Sequence, residues 1–230
     1  VKQIQTPVII LSRTDFGEAD RILTVITPEQ GKLRLMARGV RRVKSKLAGG
    51  IELFSVSNVT YIPGRGEIST LVSARLDTHY GKIVQDIDRT MLGYELIKLL
   101  AKNTEDEPET DYFTLLHLGF AALNELSIPV DIIRLWFQAQ LVRLAGHSPN
   151  LQSDAAGERL QIDQTYNFDI DAMTFVAAED GRFSANHIKV LRLLFSGSQP
   201  QVVAQVQSIS TMLNELLPLL RTISQTQLRS

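Results

Sequence analysis

A chain of 230 residues, 44% hydrophobic and 21% charged, has the composition of an ordinary globular protein with room for one large domain or two small ones. No apolar run reaches the roughly 18 residues of a membrane span, and residues 1–11 are too short and polar for a signal peptide. Cysteine is absent, which excludes disulfides, thiolate nucleophiles and thiolate metal sites and makes a reducing cytoplasm the expected setting.

The net charge of −1 hides an asymmetry. Residues 1–80 carry 12 Lys/Arg against 7 Asp/Glu, whereas residues 81–230 carry 12 against 18. Between Glu29 and Glu52 lie seven basic residues, Lys32, Arg34, Arg38, Arg41, Arg42, Lys44 and Lys46, and no acid. So dense a one-signed patch attracts polyanions, nucleic acid first and acidic membrane second. The plain alternative is a solvated loop.

Residues 4–76 read as β structure. Residues 8–11 and 22–26 are short apolar runs, the second closed by the turn signal Thr27-Pro28-Glu29-Gln30-Gly31. Residues 32–38 alternate: Leu33 and Leu35 share one face, while Lys32, Arg34 and Arg38 share the other. Segments 51–62 and 68–76, joined by Pro63-Gly64-Arg65-Gly66, suit a hairpin. Five short strands in so short a stretch predict a closed barrel of the OB (oligonucleotide/oligosaccharide-binding) type, because closure removes exposed edges.

From residue 81 the period becomes helical. Helices are predicted over 86–103, 112–126 and 127–145, the last entered through Pro129 and ended by Gly146. Residues 104–111 read as an acidic loop, and residues 147–184 have little periodicity. Two helical segments, 187–195 and 200–223, close the chain. The fold class is thus α+β and multidomain: an OB barrel over 1–80, then a mostly helical domain over 81–230 with an irregular insertion at about 147–186.

Catalytic chemistry finds little support. His79, His117, His147 and His187 are scattered, without ligand partners at helical spacing. Gly64-Arg65-Gly66 lacks the following helix and Lys-Ser/Thr of a phosphate loop. Acidic pairs such as Asp86/Asp88 and Asp169/Asp171 suit caps and turns. No enzymatic activity, cofactor or metal is expected. The aromatics near the basic strip are few, namely Phe16, Phe54 and Tyr61, so the strip is expected to grip phosphates and leave bases free to pair. Of these rings Phe54 reads as core, and Phe16, in a turn, could be exposed.

The order Glu18-Ala19-Asp20-Arg21-Ile22-Leu23-Thr24-Val25-Ile26-Thr27-Pro28-Glu29-Gln30-Gly31, followed by Ala37-Arg38-Gly39-Val40-Arg41-Arg42-Val43-Lys44-Ser45, resembles the start of the bacterial RecO family. Residues 132–144, followed by Ala145-Gly146-His147-Ser148-Pro149-Asn150-Leu151, resemble that family's central helix and its Leu-Gly-Tyr-x-Pro-x-Leu segment. The resemblance implies a DNA repair and recombination mediator, cytoplasmic and nucleoid-associated. Such a protein has an N-terminal OB fold, binds single- and double-stranded DNA and anneals complementary strands. With RecR it helps load RecA onto DNA coated by single-stranded DNA-binding protein (SSB). Carried over by position, DNA contact falls on Arg38, Arg41, Arg42 and Lys44, with Lys32, Arg34 and Lys46 added from charge. The SSB C-terminal tail falls on Arg134, beside Leu135 and Phe137; an ordinary surface arginine is the alternative there. Two other readings stay open: a docking adaptor for an acidic protein partner, and an RNA-binding OB protein.

One departure stands out. Many members of the family carry a four-cysteine zinc module after the central helix. Alignment on Pro149 and Gly181 sets Asp154, Gly157, Ser184 and His187 near those positions, and such a set does not make a closed zinc site. Loss of zinc with retention of the lobe is expected, held by apolar packing around Tyr166, Phe168, Met173 and Phe175.

Overall fold

The computed structural model describes residues 2–104 and 110–228. Most of the acidic loop expected at 104–111 lies outside the described residues. Two compact units divide the chain, Val1–Glu125 and Leu126–Ser230.

In the first unit, β1 (Ile4–Phe16), β2 (Asp20–Thr27), β3 (Gly31–Ala37), β4 (Ser55–Ile62) and β5 (Ile68–His79) close a barrel in the order β1-β2-β3-β5-β4. All pairings are antiparallel except that of β3 with β5, which seals the barrel. This is the five-stranded OB arrangement. The alternation predicted for β3 holds: Leu35 and Ala37 are buried and Arg34 is exposed. With Val8, Ile10, Leu23 and Tyr61 they belong to the barrel core. Gly31, at φ 62°, closes the β2–β3 turn, and the Thr27 hydroxyl donates to its carbonyl (3.1 Å).

Two strand limits differ from those expected. Strand β1 continues past its apolar run to Phe16, because β2 pairs along it as far as Phe16 opposite Asp20. Cross-strand hydrogen bonding, not hydrophobicity, carries that extension. Strand β4 starts at Ser55 rather than at residue 51. A 3-10 turn, Ala48–Gly50, comes before it and packs against β5 so closely that a Cβ on Gly50 would lie 2.5 Å from the Ala74 carbonyl carbon. Phe54, at φ 53°, then bends the chain into the strand.

The first unit also contains α1 (Ile87–Asn103) and α2 (Thr110–Asn124). Asp86 caps α1 by accepting from the Arg89 amide (3.0 Å). The buried Arg89 guanidinium donates to the carbonyls of Leu123 (2.8 Å) and Glu125 (3.2 Å), tying α1 to the chain at the end of α2. Phe54 joins the helices to the barrel: its ring meets Tyr94 and Phe120 edge-on, at 5.2 and 5.4 Å between centroids.

Tyr80 sits in the same core, its hydroxyl 2.9 Å from His117 Nδ1. Burial, aided by the charge of Asp77, pushes the Tyr80 phenol up to about 12. The neutral phenol is the form the fold accommodates. Its contribution is therefore intact below about pH 10, the value of an unfolded tyrosine, and is lost as pH rises through about 12. Alkaline titration followed by circular dichroism should show Tyr80→Phe resisting unfolding in that window better than the parent chain.

The second unit runs α3 (Val130–Leu144), β6 (Thr165–Asp169), β7 (Thr174–Ala177), β8 (Phe183–Ser184), α4 (Ala185–Phe195), α5 (Pro200–Ala204) and α6 (Ile209–Gln227). Helix α3 is its centre, buried from Leu135 to Val142. Trp136 Nε1 donates to the Ser198 carbonyl (2.7 Å), and the Gln140 amide donates to that of Leu194. Gly146, at φ 82°, ends the α3 segment, as expected of a helix-stop glycine. The helix predicted over 200–223 is instead two, α5 and α6. Ser208 takes the left-handed conformation (φ 62°) between them, which no α-helix can pass through.

The insertion holds more regular structure than its sequence suggests. Strands β6, β7 and β8 form a three-stranded sheet in the order β7-β6-β8. Tyr166, Phe175 and Phe183 are buried on it, and Phe175 meets the rings of Tyr166, Phe168 and Phe183 at 6.1, 5.1 and 5.8 Å. Met173, partly buried, occupies the β6–β7 turn at φ 51°.

The four positions set against the zinc cysteines do other work. Asp154 Oδ1 accepts from the amides of Ala156 and Glu158 (2.9 Å each), and Gly157 completes that turn at φ 84°. Ser184 precedes α4, and its amide donates to His187 Nδ1 (3.1 Å) in a capping arrangement. These positions do not make a closed zinc site: glycine offers no side chain, Asp154 Oδ1 and His187 Nδ1 already hold backbone amides, and the atoms left are too few and too hard for four-coordinate zinc. Among the described residues, no group of three or more His, Asp or Glu side chains could hold a metal.

Candidate nucleic-acid interface

The seven basic residues of the strip divide into two kinds. Three are engaged. Lys32 Nζ donates to the Ala101 carbonyl (3.1 Å) in the last turn of α1, where a cation suits the helix end. Arg34 pairs with Glu67 (3.0 Å) across the β3–β5 seam. Arg41 Nε lies 3.5 Å from Asp15.

The remaining four, Arg38, Arg42, Lys44 and Lys46, are exposed. They follow β3 on the segment that leads to the 3-10 turn, and no ion pair among the described residues neutralises them. Unpaired cations keep their full field for a polyanion, whereas paired ones must first give up a partner.

The loop is held at its root. Asp20 Oδ1 accepts from the Gly39 amide (2.7 Å), and the Arg41 amide donates to the Ala19 carbonyl (2.9 Å). Gly39, at φ 64°, makes the bend that leads out of β3. Asp15 accepts from Arg21 Nε (2.8 Å), and that hydrogen bond, with Arg41 close by, holds its carboxyl below the ordinary range. The tip of the β1–β2 hairpin thus anchors the start of the basic loop, while Arg42, Lys44 and Lys46 beyond it are exposed.

Arg134 lies on α3 and pairs with Asp131 (3.0 Å), while Leu135 and Phe137 are 0% exposed. Those two side chains pack the core and present no surface. Burial could not be read there because the apolar residues of α3 run almost without interruption. A groove of about 790 Å³ in this unit is lined by Phe168, Arg182, Glu215 and Leu219 among others. Sequence spacing gave no sign of it, since its walls come from segments more than 30 residues apart.

A closed five-stranded barrel with an exposed basic loop, followed by helices, defines an OB-fold protein. The family model for recombination protein O, N terminal, matches residues 1–80, and that for recombination protein O, C terminal, matches residues 84–230. The chain belongs to the RecO family.

Among its relatives is the DNA repair protein RecO of Trichodesmium erythraeum, 29% identical over 94% of this chain and 80% of the relative. That of Roseiflexus sp. is 30% identical over 71% of this chain and spans 57% of the relative. That of Dehalococcoides mccartyi is 25% identical over 86% of this chain and 80% of the relative. Among the described residues no helix is long and apolar enough to cross a membrane.

Proposed function

We propose that this chain acts in DNA repair and recombination as a mediator without a catalytic step of its own. It binds single- and double-stranded DNA through the basic end of its OB barrel and anneals complementary strands. What carries the reading is the set of four exposed cations, Arg38, Arg42, Lys44 and Lys46, without ion-pair partners among the described residues, on the loop that follows β3 in a RecO-family chain. Arg41, Arg34 and Lys32 serve the same surface less directly, each through its present partner.

The finer assignments belong to the same proposal. Residues 1–80 form the DNA-binding domain and 81–230 the helical one. RecR and the SSB tail are the protein partners, and RecA is loaded onto SSB-coated DNA in the cytoplasm, at the nucleoid. Arg134 is the contact for the acidic tail, with Leu135 and Phe137 fixing its helix from behind.

Four phosphates neutralised on a single strand give a log–log salt slope of about −2.8. Arg42→Ala with Lys44→Ala should flatten that slope by about 1.4 in an anisotropy titration and slow annealing of SSB-coated oligonucleotides. An unchanged slope would move the DNA site elsewhere. Binding of a peptide copying the SSB tail, with no binding of DNA, would favour the adaptor reading.

A further inference from the structure

The charge of the strip accounts for holding phosphates and says nothing of the bases. One side chain beside it is suited to them. Residues 1–80 contain four aromatic side chains; Phe54, Tyr61 and Tyr80 are buried at 5% exposure or less, and Phe16 is 52% exposed. Phe16 is the last residue of β1, in register with Asp20, whose carboxylate holds the Gly39 amide at 2.7 Å. On the other side of the same tip, the Ala19 carbonyl accepts from the Arg41 amide at 2.9 Å, and the Gly17 carbonyl accepts from the Arg41 guanidinium at 3.4 Å. The exposed ring and the anchors of the basic loop therefore belong to one hairpin tip, residues 16–20.

We infer that Phe16 is a base-stacking platform for single-stranded DNA, set beside the phosphate-binding residues 38–46; this rests on the DNA-binding reading above. Every base has a π-face, so a single ring adds affinity without sequence preference. A duplex keeps its bases stacked on one another and gains little from the ring. The platform thus gives the barrel a preference for single strands that charge alone would not supply, and one ring leaves the neighbouring bases free to pair.

The test uses the full chain, a fluorescent oligothymidylate and a mixed-sequence duplex, each titrated over a range of salt. Phe16→Ala should weaken single-strand binding by about 5- to 100-fold, leave duplex affinity within about 2-fold and leave the salt slope unchanged. Phe16→Trp should restore the affinity, and its emission should be quenched when oligothymidylate is added. Thermal unfolding of Phe16→Ala, compared with the parent, identifies any loss that comes from misfolding. Equal weakening of single strand and duplex, or no weakening at all, overturns the platform. If Arg42→Ala with Lys44→Ala still flattens the slope in that case, DNA binding at the loop survives and only the stacking role falls. If neither change has an effect, both fall together.

Discussion

Phe175→Ala is expected to cost about 3–5 kcal/mol and to melt the three-stranded lobe between α3 and α4. The reason is the smallness of the lobe. Phe175 is fully buried and touches three other rings, so its removal takes away the centre of a cluster with little else to close on the cavity. Its backbone matters as well: the Phe175 carbonyl accepts from the Ala155 amide (2.8 Å), and Asp154 bridges to it. Hydrogen exchange should therefore rise across residues 150–184. Addition of EDTA to the parent chain should leave that exchange and the melting temperature unchanged, because no group of three or more His, Asp or Glu side chains gathers among the described residues to hold a metal there. A fall in melting temperature with EDTA would show that the lobe holds a metal after all.

Phe54→Ala should destabilise the first unit by about 3–5 kcal/mol, read as a shift in the urea midpoint. The ring is buried against Tyr94, Phe120 and Gly93, where a Cβ on Gly93 would lie 2.6 Å from Phe54 Cε1. Gly93 is thus the notch in α1 that receives the ring, and filling it with alanine should be costly for the same reason. A second comparison isolates the backbone. Phe54 sits at φ 53°, which is strained for phenylalanine and alanine alike and not for glycine. Phe54→Gly should therefore be more stable than Phe54→Ala by about 1 kcal/mol, the reverse of the usual order within a strand. Gly below Ala would mean that the bend carries no strain.

Much of this molecule was legible from local pattern. Period-2 alternation over residues 32–38 located an inward Leu35 and an outward Arg34, and the Thr27–Gly31 signal located a turn. Helical spacing found α1 to α4 to within a few residues. What failed was whatever depended on a distant partner. The extension of β1 to Phe16 needs β2 beside it, and the shortened β4 needs the 3-10 turn pressed on Ala74. The break at Ser208 carries no glycine or proline to announce it. The insertion looked irregular because strands of two to five residues are too short to show a period, and their order comes from side chains meeting across the sheet.

By itself the sequence determined the barrel, the helices after it and the sign and place of the charge at residues 32–46, since each is written in neighbouring residues. Which of those charges are free was decided only by the tertiary structure. Glu67, Asp15 and the Ala101 carbonyl lie 33, 26 and 69 residues from the cations they engage, and no local pattern reports such distances. The same holds for Leu135 and Phe137, apolar in any reading and placed in the core only by what folds around α3. For Phe16 the exposure was legible in the sequence, while its place at the end of β1 opposite Asp20, rather than in a turn, came only from the pairing of the two strands.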